Sequence, residues 1–187
     1  MRKLILLCIG IFGLFSCEKD TAPVVELPFD YLPLQSGNYW DFELSGKYLV
    51  SESHKMNGLE YFEISNNGTS AYYRKQENKV YVREFSLDHA EEMKFDLAAK
   101  VNDTWTYGVG EVTLANRNAI LTIGEMQVDS CLQFNFHNDN LMDYGFTIWL
   151  APRIGFIQQT CQECFGSSYE NMKLLEAKIN NEAIEFN

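Results

Sequence analysis

Cys161-Gln162-Glu163-Cys164 has the spacing in this sequence best suited to chemistry. Two cysteines with two residues between them can cycle as dithiol and disulfide, or supply half of a zinc site. A thioredoxin-like pair would sit at a helix N-terminus in a βαβ setting. Here the run GFIQQT precedes the pair and the loop FGSS follows. Zinc would need a second such pair, and the sequence has none. His54, His89 and His137 stand apart, none three or four residues from another histidine or from a cysteine. Three or four convergent ligands are not encoded, so no metal site is expected. The run NDNLMD (138–143) gathers Asn138, Asp139, Asn140 and Asp143 but lacks the ligand spacing and the glycine of a calcium loop. It reads as a polar hairpin tip. No G-x-S-x-G elbow, P-loop or Gly-rich dinucleotide turn occurs. The 26 acidic residues could include a glycosidase pair, but in an acidic domain they are expected mainly as surface charge. No catalytic residue and no cofactor is assigned, and no enzyme activity is expected.

The remaining chemistry lies at the amino terminus, MRKLILLCIGIFGLFSC. Arg2 and Lys3 form a positive start, and Leu4 to Phe15 form a 12-residue apolar run. That is short of the about 20 residues needed to span a bilayer, but it has the length of a signal-peptide core. The end of the run, Leu14-Phe15-Ser16-Cys17, resembles the lipobox of bacterial lipoproteins. The resemblance implies cleavage before Cys17, a diacylglycerol on its thiol, and usually acylation of the new amino terminus. Two or more acyl chains hold a protein stably where one does not. Cys8 would leave with the signal peptide. Residues 1–16 are thus read as a signal peptide, 17–30 as the lipidated cysteine with a Pro-containing tether, and 31–187 as the folded domain. Glu18-Lys19-Asp20 resembles the short signal after the lipidated cysteine in surface-displayed lipoproteins of Bacteroidota. A plain solvated tether reads equally well. The expected location is the cell envelope, anchored to the outer membrane, on its periplasmic or its outer face.

From residue 31 the apolar residues recur every second position. Trp40, Phe42 and Leu44 share one face of YWDFELS. Leu132, Phe134 and Phe136 alternate with Gln133, Asn135 and His137, and Tyr144, Phe146, Ile148 and Leu150 share a face of DYGFTIWL. Further strands are expected near 47–53, 59–65, 70–75, 79–85, 92–97, 104–114, 118–123, 126–130, 154–160 and 171–180. Turn signals stand at 57–58, 66–68, 76–78, 115–118 and 137–140. Alternation of this kind means antiparallel strands with one wet side. Ten or more of them call for a curled sheet. The expected fold is all-β and mostly antiparallel: a single curled sheet, half-barrel or barrel-like, with at most one short helix, for which SLDHAEEM (86–93) is the candidate or else a turn. Two stretches rhyme, YLPLQSGNYWDFEL (31–44) and FDLAAKVNDTWTYGV (95–109). Trp40 and Trp105 are read as core anchors.

YLPLQSGNYWDFEL, FDLAAKVNDTW and WLAPRIGFIQ together resemble a group of Bacteroidota lipoproteins that share an (F/Y)xPLxxGNxW pattern, a later GDxW and a late APGIG-like turn. Asn102 and Arg153 stand where that pattern has glycine. The resemblance implies an antiparallel, half-barrel-like sheet similar to periplasmic lipoprotein carriers. It carries no catalytic residues.

An exported, oxidising location favours a structural disulfide between Cys161 and Cys164 over a redox centre. Strand register by eye places Cys131 near Trp149 and Cys161 nearer Gly145, against a Cys131–Cys161 bond. The net charge of −11, near −13 once Arg2 and Lys3 are removed, offers nothing to a phosphate backbone, so nucleic acid is excluded as a partner. The expected function is a non-enzymatic ligand-binding or carrier lipoprotein. Its ligand would be apolar or a glycan, and Tyr72, Tyr73, Tyr81 and Trp149 are the aromatics off the main stripe. The alternatives are a structural subunit docked on an outer-membrane protein and, last, a carbohydrate-directed enzyme.

Overall fold

A computed structural model describes residues 27–138, 145–161 and 172–186. Thirteen strands follow one another: β1 (Tyr39–Phe42), β2 (Gly46–Met56), β3 (Leu59–Asn66), β4 (Thr69–Gln76), β5 (Lys79–Glu84), β6 (Glu92–Asp96), β7 (Thr104–Tyr107), β8 (Gly110–Ile123), β9 (Met126–His137), β10 (Phe146–Ala151), β11 (Gly155–Cys161), β12 (Met172–Ile179) and β13 (Glu182–Glu185). They form one antiparallel sheet curled into a nearly closed barrel, with no helix among the described residues. Residues 86–89 are turn and bend, with Ser86 Oγ 2.9 Å from His89 Nδ1. Apart from β6 and β7, each strand pairs with its neighbour in sequence, and β1 pairs with β12 to join the two halves. β13 continues beside the second half of β12, where β11 leaves off.

Only β6 and β7, consecutive in the chain, share no backbone ladder. Side chains close that seam instead. Trp105 Nε1 donates to the Lys94 carbonyl at 3.4 Å, and the Gly108 amide donates to Glu92 Oε2.

The strand pattern was readable because the interior takes every second residue. Trp40, Val50, Phe95, Leu114, Phe134, Leu150 and Leu174 are all buried. Phe95 packs against Phe134 at 4.9 Å and Phe156 at 6.1 Å between ring centres. Departures from strict alternation occur where turns and bulges intervene. Leu44 does not join Trp40 and Phe42 in the core but is 56% exposed, because β1 ends at Phe42 and the chain turns at Gly46 (φ 75°). The stretch 104–114 is two strands, broken by a turn at Gly108 (φ 59°). ANRN (115–118) is not a turn but the irregular middle of the 14-residue β8. Arg117 accounts for that irregularity: it reaches across to donate to the Leu97 and Ala99 carbonyls at 2.9 and 2.6 Å. Gln133 stands opposite Trp149, with Cys131 two residues earlier on β9, and Cys161 stands opposite Phe146, next to Gly145.

The rhyming stretches occupy equivalent places at the head of each six-strand half. Asp30 Oδ1 accepts from the Leu32 amide at 2.9 Å, and Asp96 Oδ1 from the Ala98 amide at 3.0 Å. The Asn38 amide then bonds the Gln35 carbonyl, and the Asp103 amide bonds the Lys100 carbonyl, both at 3.0 Å. Gly37 (φ 89°) and Asn102 (φ 73°) hold the same left-handed turn position, and their amides bond the carbonyls of Val50 and Leu114. Both lead-in segments fill the same end of the barrel. Leu32, Leu97 and Ala99 are buried there, Tyr31 donates to the Ser130 carbonyl at 3.0 Å, and Lys75 pairs with Asp30 at 2.7 Å. That end is plugged. No described segment plugs the other end, where β1, β3, β5 and β7 finish.

Candidate functional site

Toward that other end the barrel interior holds a cavity of ≈ 360 Å³. This is within the usual range of small-molecule sites, about 300–1,000 Å³. Phe42, Tyr48 and Phe156 form its aromatic wall, and Ile64, Ile148 and Met172 extend the apolar lining.

A charged group sits against this lining. On β5, Val80, Val82 and Glu84 alternate toward the interior, so Glu84 continues an apolar stripe with a carboxylate. On β6 a bulge intervenes: Val80 faces Phe95 while Tyr81 faces Met93, leaving Lys94 as the extra residue. Bulges re-aim side chains in this way. Both Lys94 and Phe95 turn inward, although strict alternation would separate them. Lys94 Nζ lies 3.1 Å from the Tyr73 hydroxyl and 3.4 Å from Glu84 Oε1, and 5.4 Å from the ring centres of Tyr73 and Tyr107. Tyr107 donates its hydroxyl to the same Glu84 oxygen.

The electrostatics agree with a fixed ion pair. Burial opposes the Lys94 charge, but the Tyr73 and Tyr107 oxygens and the Glu84 carboxylate outweigh it and hold the lysine well above its ordinary value. Burial likewise works against the Glu84 charge. The Lys94 ammonium and the Tyr107 hydrogen bond overcome it and hold the carboxyl below the usual range. Burial raises both phenols, so Tyr73 and Tyr107 stay neutral hydrogen-bonding groups.

Of the four aromatics singled out by sequence, only Tyr73 reaches this cavity. Tyr72 lies outside, against His54 at 5.5 Å. Tyr81 also lies outside, under the Arg74 guanidinium at 4.3 Å. Arg74 grips Glu91 through two 2.6 Å bonds, and Arg83 donates to the Leu87 and His89 carbonyls, so the β5–β6 connection is strapped to the outer wall. Trp149 pairs with Gln133 on the face away from Ile148 and Phe134. The histidines are scattered: His54 meets Glu63 at 3.2 Å and His137 meets Glu111 at 3.7 Å. Among the described residues no three His, Cys, Asp or Glu side chains are grouped to hold a metal ion.

Cys161, the last residue of β11, is disulfide-bonded, and its Sγ lies 3.3 Å from the Gly145 carbonyl. Cys164 lies outside the described residues, as does Cys17. Cys131 is a free, fully buried thiol, pushed up to about 12 by burial and by Asp129.

Sequence reasoning did not single out Lys94, Glu84 or Tyr107. The readable signal was Glu84, an acid in register with Val80 and Val82. The inward turn of Lys94 depends on a bulge that no residue type announces. Comparison with protein-family models, with curated proteins and with solved structures returned no match.

Proposed function

We propose that this chain is a lipid-anchored binding protein that holds a small ligand inside its barrel. The observation that carries the reading is the ≈ 360 Å³ cavity with a half-buried ion pair at one side and aromatic rings at the other. A core built for stability alone has no use for a lysine that must be desolvated. The described lining contains a single carboxylate, Glu84, and it is held below its ordinary value. Glycoside hydrolysis needs two carboxyl groups, one with a raised value, so the lining supports binding over hydrolysis. The neutral fluorophore N-phenyl-1-naphthylamine tests this. Its emission should rise on mixing with the native protein and fall back in Ala71→Phe, which fills the cavity from β4. No rise with the native protein would exclude an accessible cavity.

The anchor belongs to the same proposal. Residues 29–31 are fixed at the plugged end, through Arg153 N–H to the Asp30 carbonyl and through Tyr31. A tether arriving from Cys17 would therefore join the barrel at the end opposite the cavity. The nine residues between Cys17 and Leu27 allow a reach of roughly 30 Å when extended. Radiolabelled palmitate should be incorporated by the wild type and not by Cys17→Ala. Equal labelling of the two would refute the anchor.

A further inference from the structure

We infer that the cavity selects a neutral, polyhydroxylated ligand with one apolar face, the chemistry of a pyranose sugar, through Glu84 Oε2, Asn66 Oδ1 and the Gln159 amide. The inference rests on the binding reading above and names its ligand class. The first support is the charge balance. Among the described residues Lys94 is the one cation lining the cavity, and it already faces Glu84 at 3.4 Å. A fatty-acid carboxylate would have to displace Glu84 from Lys94 and then lie beside it, a like-charge contact that disfavours binding. A cationic ligand meets the Lys94 ammonium next to the only carboxylate of the described lining. A neutral ligand escapes both penalties.

The second support is the set of hydrogen-bonding atoms left over. Glu84 Oε1 accepts from Lys94 and Tyr107, while among the described residues Oε2 has no partner. Asn66 donates its amide to the Ser45 and Lys47 carbonyls at 2.8 and 3.0 Å, which leaves Oδ1 available. Gln159 pairs in register with Ile148 and Met172, both cavity-lining, so its side chain shares their face. No hydrogen bond among the described residues engages that amide. The two acceptors suit ligand hydroxyl donors, and the Gln159 amide both donates and accepts. A site of this kind rejects analogues that cannot fill its polar atoms.

The third support is the opposite wall. Phe42 and Tyr48 stand edge to face at 5.5 Å, and Phe156 continues the surface. A pyranose has hydroxyls around its rim and a C–H face that can lie on such rings. A simple alkyl chain would leave the polar atoms unpaired, at a cost.

Saturation-transfer NMR on the full folded domain tests the class. The probes are methyl β-d-glucopyranoside, methyl β-d-galactopyranoside, N-acetylglucosamine and maltose, with decanoate as the anionic amphiphile. At least one sugar should give transfer and displace N-phenyl-1-naphthylamine, and decanoate should do neither. Glu84→Gln and Gln159→Leu should each weaken the sugar about tenfold. Gln159→Leu touches no ion pair, so its Tm should stay near wild type and keep the test valid even where Glu84→Gln folds poorly. Decanoate binding without any sugar, or no sugar signal while the naphthylamine binds, overturns the ligand class and leaves the binding reading standing. Sugar binding unchanged in both variants overturns the assigned residues. Silence of every probe, the naphthylamine included, overturns the binding reading as well.

Discussion

Gly155→Ala is expected to destabilise the barrel by about 3 kcal/mol, combining left-handed backbone strain with overpacking. Gly155 opens β11 at φ 95°, a conformation that L side chains resist. A Cβ there would lie 2.8 Å from Trp40 Cζ2 and 3.0 Å from Cε2 and Nε1. The indole cannot retreat. It is fully buried, stands edge to face with Phe156 at 5.4 Å, and donates Nε1 to the Ile154 carbonyl at 2.6 Å. For a domain of this length the Tm should drop by roughly 6–12 °C. The clash and the backbone strain can be separated. In a Trp40→Phe background the missing indole atoms relieve the contact, and Gly155→Ala should then cost only about 1 kcal/mol for the backbone. Strictly additive costs in denaturant titrations of the four proteins would show that Trp40 is not the obstacle.

Lys94→Met should lower stability by about 2 kcal/mol at pH 7. Removing one member of a buried pair costs about 3–5 kcal/mol. Glu84 retains 40% side-chain exposure, so water screens part of that loss. The sign with pH follows from Glu84. Its folded value lies below the ordinary 4.5, so the pair stabilises fully above about 4.5. The contribution is lost as pH falls through the lower folded value. The gap between wild type and Lys94→Met should therefore be widest above pH 5 and close toward pH 3. Adding Glu84→Gln to Lys94→Met removes the stranded carboxylate and should restore at least half of the loss. Thermal melts from pH 3 to 7 check both points. A gap of constant width, or a double variant weaker than the single one, would rule out the pair as the cause.

The sheet was legible because a barrel interior samples every second residue, and sequence period two reports that directly. The lead-in turns were legible too, since Asp30/Asp96 and Gly37/Asn102 recur in like order. Asn102 and Arg153 both lie at positive φ, 73° and 65°, so each of these turns uses the left-handed region that glycine adopts most easily. Asparagine tolerates it readily, and Arg153 spreads its guanidinium over Phe29 at 5.0 Å. The site was mostly illegible. Tyr73 alone was named from the sequence; Tyr107 and Lys94 come from two further strands, each an unremarkable member of an alternating run. What joins them is the curl of the sheet and one bulge at Lys94, and neither leaves a residue signature.

The ring closes in two unlike ways, and this orders its assembly in time. Every other joint of the barrel pairs strands consecutive in the chain, and such local contacts form early. The β1–β12 ladder joins Trp40 to Ala177, across nearly the whole domain, and must wait for the last long strand. The β6–β7 seam has no ladder to form and completes only when Trp105, Glu92 and the Lys94 cluster settle. Each half can therefore coil into its own meander first, leaving β1 and β6 as open edges on one side and β7 and β12 on the other. A chain emerging amino-terminus first would hold the edge of β1 unpaired longest. That edge is only four residues long, which limits what a wrong partner could add to it while it waits.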